Sequence, residues 1–288
     1  MTKSLLRTMR PKQWAKNVFI FAGIFFDAKF FRIQALFRTI LAFLLFCLAS
    51  SAIYLLNDLV DIEKDRSHPV KKNRPLASGA LNPLTAKGAM LLLLLIAIPT
   101  AFWLRPLFGI VVIIYVTLMA LYSFVLKNIV IIDVMTVSAG FVLRVWAGTT
   151  VIDVTRFSPW LYVCTTLLAL FISLNKRRHE LNLLADQAIN HRSSLQEYSQ
   201  ALLDNMTSIV TSATLVAYSF YTFSAPNLPE NHAMMLSIPF VVYGIFRYLY
   251  LIHEKHLGGA PEDIILHDKP MLATLVLWAL TAAVVLYA

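Results

Sequence analysis

An all-α membrane bundle of about nine transmembrane helices with a polar cap on one side is the fold class this sequence predicts. Three observations predict it. Of its 288 residues, 58% are hydrophobic and only 14% are charged, against roughly 45–50% and 25% in soluble domains. The apolar residues gather into nine runs that approach or reach the roughly 20 residues needed to cross a bilayer. Lys and Arg concentrate at the N-terminus and in alternate connections, the ordinary topology signal of a polytopic protein.

The nine runs are 17–31, 36–56, 83–104, 108–126, 129–149, 159–174, 206–223, 234–251 and 272–287. Asp27 and Lys29 interrupt the first, so it is expected to be short, tilted or sheltered by neighbours. Of the 25 Lys and Arg, 19 fall on the side of the N-terminus; Lys29, Arg32, Arg38, Arg105, Arg144 and Arg156 lie elsewhere. This distribution puts the N-terminus and the polar cap in the cytoplasm and the C-terminus outside, in agreement with an odd number of spans. The whole chain, 1–288, reads as one transmembrane domain with no internal repeat. The basic stretch 1–16 followed by apolar 17–26 carries no small-x-small cleavage site, so a first membrane helix is expected rather than a cleaved signal peptide. The net charge of +9 sits in span flanks and does not point to nucleic acid. Cys47 and Cys164 lie inside apolar runs and read as packing residues.

The second run ends in the most chemically loaded stretch, YLLNDLVDIEKDRSHPVKKNRPLASG, residues 54–79. Asn57, Asp58, Asp61 and Asp65 are spaced i, i+1, i+4 and i+8, within an arc of roughly 100° on one helix face. Three carboxylates and a carboxamide so grouped repel one another unless a cation joins them. Oxygen-only ligands favour Mg²⁺, which keeps waters and shares itself with phosphate oxygens. Lys71, Lys72 and Arg74 then bring fixed positive charge for a phosphorylated ligand. Asp58, Asp61 and Asp65 are the expected catalytic carboxylates, and together with Asn57 they form the expected metal site.

Elsewhere the residues leave alternatives open. In RPKQWAKN, residues 10–17, Lys12 and Lys16 are either a positive flank or part of a phosphate site, and Trp14 is expected at the headgroup level. Tyr122 and Lys127 bring a phenol and an ammonium to the mouth of the bundle, or serve as belt aromatic and snorkelling flank. Asp133 and Arg144, three turns apart, share a helix face about 16 Å apart along the axis. Arg144 lies deep in its span, where it either pairs structurally or holds a substrate phosphate. After the sixth run, NKRRHEL (175–181) places Lys176 and Arg177 beside one carboxylate, Glu180, a set suited to phosphate rather than metal. His179 reads as a surface residue, and the polar stretch to about 205 as an interfacial helix. Arg247 and the run 258–268, GGAPEDIILHD, form an expected lid in which Glu262 and Asp263 could accept bonds from sugar hydroxyls. No Walker A loop, GxGxxG, zinc spacing or GxSxG elbow supports ATP coupling, dinucleotide binding or serine hydrolysis.

The order NDxxDxxxD then K-x-R-P-L-A-S-G resembles the first aspartate-rich motif of the UbiA superfamily of intramembrane prenyltransferases. There these residues bind Mg²⁺ and the donor's diphosphate, and a comparable tyrosine and lysine stand near Tyr122 and Lys127. The chain departs from most of that superfamily at 175–181, where a second DxxxD is usual. RPKQWAKN, NKRRHEL and the G-x-P-E-D-x-x-L-x-D run instead resemble its decaprenyl-phosphate phosphoribosyltransferase branch. The resemblance implies transfer of 5-phosphoribosyl from 5-phosphoribosyl 1-diphosphate to a polyprenyl phosphate of the lipid bilayer, with Mg²⁺ and release of diphosphate. It implies a bacterial plasma membrane and an arabinan precursor for the cell envelope. The alternative is a conventional prenyltransferase moving an isoprenyl group to an aromatic acceptor; a non-catalytic lipid-phosphate carrier is a further rival that leaves the clustered aspartates unexplained. Chain length of the lipid, number of Mg²⁺ ions and oligomeric state are not encoded legibly.

Overall fold

The computed structural model describes residues 2–68, 70–154, 158–185, 193–226, 228–255, 257, 264 and 267–287, and among them the chain is helical with no strand. The helices are α1 Thr2–Met9, α2 Ala22–Phe26, α3 Ile33–Val60, α4 Ile62–Arg66, α5 Pro83–Leu104, α6 Pro106–Phe124, α7 Ile132–Thr150, α8 Pro159–Ala185, α9 Ser193–Gln196, α10 Gln200–Ser224, α11 Ile238–His253 and α12 Lys269–Tyr287. Each expected span meets helical structure. Five stretches, Ile33–Val60, Pro83–Leu104, Pro106–Phe124, Ala233–His253 and Lys269–Tyr287, are long and apolar enough by themselves to cross a membrane. The first expected span is not one helix: a 3₁₀ segment, Pro11–Phe21, passes into the five-residue α2.

The chain packs as two compact units. Unit 1 comprises Met1–Ile24, Lys29–Lys127 and Leu143–Val154. Its axis is α3, whose 28 residues extend about 42 Å, well beyond the roughly 30 Å hydrocarbon layer. That excess carries Asn57 and Asp58 out of the apolar zone. α5 starts at Pro83, with the Asn82 side chain accepting from the Leu84 N–H at 2.8 Å, a regular N-cap. The extended backbone of Arg105 and Pro106 at the first turn then break the chain into α6. Alanines on α3 (Ala42, Ala49) and α5 (Ala97, Ala101) are fully buried in the core with Phe46, Phe108 and Val112, small side chains that let helices approach closely. Gly148 is required by a still closer approach, since a Cβ there would lie 1.9 Å from the Ile20 carbonyl oxygen.

Unit 2 comprises Phe25–Ala28, Asn128–Val142 and Thr155–Ala288. α8 packs on α10 and α11 on α12. Its core divides into a patch around Phe171, Tyr248 and Met271, one around Val134, Leu174 and Leu203, and one around Tyr218, Tyr221 and Met234. Two boundaries differ from expectation. α8 runs eleven residues past Leu174, so NKRRHEL is helix rather than loop; its Arg177 and Glu180 make an i,i+3 pair that supports the extra turns. α10 begins at Gln200 because the Ser199 hydroxyl caps it, accepting from the Leu202 N–H at 3.1 Å. Of the stretch to residue 205 expected as an interfacial helix, 186–192 lie outside the described residues, and the remainder holds the short α9 and the first turns of α10.

Candidate functional site

In unit 1 the acidic stretch folds back on three cations. Asp61 terminates α3 with φ −96° and ψ 8°, and Asp65 lies one turn on in α4. The single continuous face expected for 57–65 is thus broken at Asp61, although Asp61 N–H still bonds the Asn57 carbonyl at 3.0 Å and Asp65 N–H the Asp61 carbonyl at 2.8 Å. These bonds preserve the one-turn spacing, and all three carboxylates are buried, Asp58 at 2% exposure, Asp61 at 9% and Asp65 at 4%.

Burial of three carboxylates demands partners, and each has one. Arg74 Nη1 donates to Asp58 Oδ1 at 3.1 Å and to Asp65 Oδ2 at 2.7 Å, tying the two together. Arg10 Nη2 donates to the same Asp58 oxygen at 2.5 Å, and its guanidinium lies 5.0 Å from the Tyr54 ring centroid. Lys127, itself buried, donates to Asp61 Oδ1 at 2.6 Å. Arg10 reaches inward because its backbone is left-handed, φ 54° and ψ 62°, where α1 turns into the 3₁₀ segment, a conformation costing a non-glycine residue on the order of 1–2 kcal/mol. Asn57, Lys71, Tyr122 and Lys16 are half-buried, and Lys12 is exposed.

The donor set fits a hard divalent ion that shares itself with phosphate. Among the described residues no three acidic, histidine or cysteine side chains form a ready-made cage; Arg74 lies between Asp58 and Asp65, and Lys127 lies against Asp61. Mg²⁺ needs only one or two carboxylates when substrate phosphates and waters complete its shell. Asp58 and Asp65, gathered on one arginine nitrogen, would fit as that pair, with Asn57 next to Asp58 and Asp61 one helical turn from each.

Arg144 has a different setting in the same unit. Its Nε donates to Asn17 Oδ1 at 2.8 Å and its Nη2 to Tyr115 Oη at 3.0 Å, with the guanidinium 5.0 and 5.8 Å from the Tyr115 and Phe46 centroids. Asn17, fully buried, donates in turn to Cys47 Sγ and Ser50 Oγ, each at 3.2 Å. Trp14 Nε1 donates to Ser51 Oγ at 3.0 Å, so this tryptophan docks on α3. The motif at 10–17 therefore contributes Arg10 to the acidic cluster and uses Trp14 and Asn17 to pin the segment.

In unit 2 a second network surrounds Asp133, which is fully buried. Arg177 Nε donates to Asp133 Oδ2 at 2.6 Å, and its Nη1 pairs with Glu180. Tyr198 Oη donates to Asp133 Oδ1 at 2.7 Å and accepts from the Ile131 N–H at 2.8 Å. Burial, then the Asp133 carboxylate, push the Tyr198 phenol well above its ordinary range. Ile131 is left-handed, φ 68°, a costly state for a β-branched residue that its neighbours must hold in place. Lys176, the residue before Arg177 in α8, is half-buried. Arg178 pairs with Asp204. Arg247 makes a two-pronged contact with Asp268 at 2.8 and 3.2 Å, and Asp268 also accepts from the Met271 N–H at the start of α12. Glu262 and Asp263, with the rest of the expected lid from 258 to 263, lie outside the described residues.

Sequence reasoning left Arg10 and Tyr198 out of its candidate site. Arg10 opens RPKQWAKN, which read as a positive flank or as part of a phosphate site, and its left-handed turn toward Asp58 carries no local signal. Tyr198 lay in a polar stretch without a motif. The eleven-residue spacing of Asp133 and Arg144 suggested a shared face, whereas Asp133 is partnered by Arg177 and Tyr198, and Arg144 by Asn17 and Tyr115.

Comparison with known proteins adds three findings. The UbiA prenyltransferase family matches residues 17–262. The decaprenyl-phosphate phosphoribosyltransferase of Mycolicibacterium smegmatis is 31% identical over 306 residues, covering 100% of this chain and 93% of its own, and that of Corynebacterium glutamicum is 29% identical, covering 100% and 88%. A UbiA homolog from Archaeoglobus fulgidus, solved bound to GPP and Mg²⁺, shares the fold with a TM-score of 0.75 at 16% identity, over 99% of this chain and 100% of that one.

Proposed function

The chain belongs to the UbiA prenyltransferase family, and from that premise we propose that it transfers the 5-phosphoribosyl group of 5-phosphoribosyl 1-diphosphate to a polyprenyl phosphate, releasing diphosphate. It is an integral membrane protein. The observation that carries the reading is the buried group of Asp58, Asp61 and Asp65 interleaved with Arg10, Arg74 and Lys127. Equal numbers of fixed positive and negative charges are what a magnesium diphosphate needs: carboxylates for the metal and cations for the phosphate oxygens. The full-length relatives named as phosphoribosyltransferases favour ribose phosphate over isoprene as the transferred group, as does the cationic 175–181 segment.

In this reading a phosphate oxygen of the lipid forms the new bond to ribose C1 while the C1–O bond to diphosphate breaks, and diphosphate leaves with the electron pair. The lipid phosphate is already ionised, so no residue has to remove a proton from it. Asp58 and Asp65, with Asp61 and Asn57, would hold the metal, which when bound would supply Lewis-acid stabilisation of negative charge. Arg10, Arg74 and Lys127 stabilise the charge that grows on that leaving group. Lys71, Lys16, Lys12 and Tyr122 are further contacts for phosphate or ribose. In unit 2, Asp133 and Tyr198 orient Arg177, which with Lys176 is offered to phosphate, and Glu180 tethers that arginine. Arg247, Glu262 and Asp263 are assigned to the sugar end, and Arg144 to an anionic group of the substrate. The active end is assigned to the cytoplasmic face of a bacterial plasma membrane, and the product to the supply of arabinan units for the envelope.

The test is direct. Purified protein is incubated with polyprenyl phosphate and ribose-labelled 5-phosphoribosyl 1-diphosphate, with Mg²⁺ or EDTA. Label in the lipid phase only with Mg²⁺ is expected. Consumption of an isoprenyl diphosphate with an aromatic acceptor, and no label in lipid, would replace this reading by the prenyltransferase one.

A further inference from the structure

Unit 1 holds a second charged assembly, at the end of α3 opposite to the acidic cluster. The 26 residues between Arg32 and Asp58 put the two ends about 39 Å apart along that helix. Unit 1 contains five carboxylates, of which four lie in 58–65 and the fifth is Asp153. Three cations from separate segments converge on this one residue. Arg105 Nη2 donates to Asp153 Oδ1 at 3.0 Å, Arg38 Nη1 lies 4.0 Å from Asp153 Oδ2, and Lys29, itself buried, donates to the Asp153 backbone carbonyl. Arg32 is exposed at the start of the same helix. Four cations, Lys29, Arg32, Arg38 and Arg105, stand here against Asp153 and against Asp27, two residues before Lys29 in the chain, so positive charge exceeds negative by about two among the described residues, at a helix end where positive flanks are ordinarily scarce.

The surroundings are those of a bilayer boundary. Phe31, Ile33 and Phe37 on one side, and Trp103 and Leu107 on the other, stand exposed, Phe31 at 84% and Trp103 at 81%. Aromatic side chains at helix ends settle at headgroup depth. The Asp153 carboxylate is itself 83% exposed, and an exposed carboxylate binds its arginines only weakly. It leaves two guanidiniums converging on one small anionic volume, the arrangement that takes a phosphate bidentately.

We infer that Arg38 and Arg105, with Lys29 and Arg32, form a binding site for the headgroup of an anionic phospholipid in the leaflet opposite the acidic cluster, its acyl chains lying along the Phe31–Phe37 and Trp103 flanks. This site is independent of the transfer chemistry. A zwitterionic lipid offers the same phosphate but brings its own cation against four protein cations, so the site discriminates by net charge. Each arginine at the surface contributes about fivefold to the retention of an anionic lipid.

The full chain is purified in mild detergent, equilibrated with equal amounts of phosphatidylglycerol and phosphatidylcholine, and examined by native mass spectrometry. Wild type is expected to retain phosphatidylglycerol about tenfold or more over phosphatidylcholine. The Arg38→Ala/Arg105→Ala double variant is expected near parity, with its unfolding temperature followed alongside. Asp153→Asn removes the competing carboxylate and is expected to raise phosphatidylglycerol retention. This second variant decides the matter if the double variant does not fold. Parity in wild type, a preference kept by the folded double variant, or retention unchanged or lowered in Asp153→Asn would overturn the inference. So would loss of the lipid to millimolar inorganic phosphate, which would mark a free-anion site.

Discussion

Replacing Arg74 by alanine removes one nitrogen that serves two buried carboxylates. Asp58 keeps Arg10, but Arg74 is the ion-pair partner of Asp65 among the described residues. Breaking a buried pair by deleting one partner costs about 3–5 kcal/mol. Arg74 is 26% exposed on its side chain, so solvent returns part of this, and about 2–3 kcal/mol is expected. For a chain of this size that is a fall of roughly 5–10 °C in the unfolding midpoint. Mg²⁺ should return much of the loss, because a divalent ion can take the place vacated between Asp58 and Asp65. The assay is thermal unfolding in nanodiscs with EDTA and with Mg²⁺, wild type beside Arg74→Ala and Arg74→Lys. The variant should gain more from Mg²⁺ than wild type does, with lysine intermediate. An Arg74→Ala protein as stable as wild type in EDTA, or indifferent to Mg²⁺, would refute the view that these carboxylates are held together by exchangeable positive charge.

Three further outcomes follow from single contacts. Tyr198→Phe leaves a buried Asp133 oxygen and the strained Ile131 N–H without their hydroxyl partner; a loss of about 1–3 kcal/mol is expected in chemical denaturation. Because the folded Tyr198 phenol titrates above its unfolded value near 10, its contribution is present below that pH and lost as pH rises beyond it; wild type should show an alkaline destabilisation that Tyr198→Phe lacks. Asp268 is held below the usual carboxylate range by its bonds to Arg247, so its contribution is present at neutral pH and fades as pH falls below about 4. Asp268→Asn should blunt the acid limb of the stability profile, read by unfolding midpoints between pH 3 and 7. Gly148→Ala drives a methyl into the Ile20 carbonyl and should destabilise by about 1–3 kcal/mol, checked by the unfolding midpoint.

Much of the fold was legible because its signal is local. An apolar run of 20 residues declares a membrane helix wherever it packs, and the runs at 36–56, 83–104 and 272–287 needed no partner to be read. Helix ends were harder. The NKRRHEL turns survive outside the apolar zone on an i,i+3 pair and a buried arginine, neither of which hydropathy weighs. Within the candidate site the aspartates were visible by spacing, and Arg74 by proximity in the chain. Arg10's partner was not, because Arg10 meets Asp58 across 48 residues through a left-handed turn; Lys127 was named from its place at the end of a span, but its partner Asp61, 66 residues away, was not. Spacing also misled where one helix serves two units: α7 carries both Asp133 and Arg144, yet each finds its partners within its own unit.

The most direct test of the central claim is the appearance of ribose label in polyprenyl phosphate, catalysed by wild type and by Asp61→Asn, with and without Mg²⁺. The account predicts labelled lipid and released diphosphate from wild type with Mg²⁺, and loss of most of that activity on chelation or in the variant. Transfer that persists unchanged in EDTA or in Asp61→Asn would contradict it.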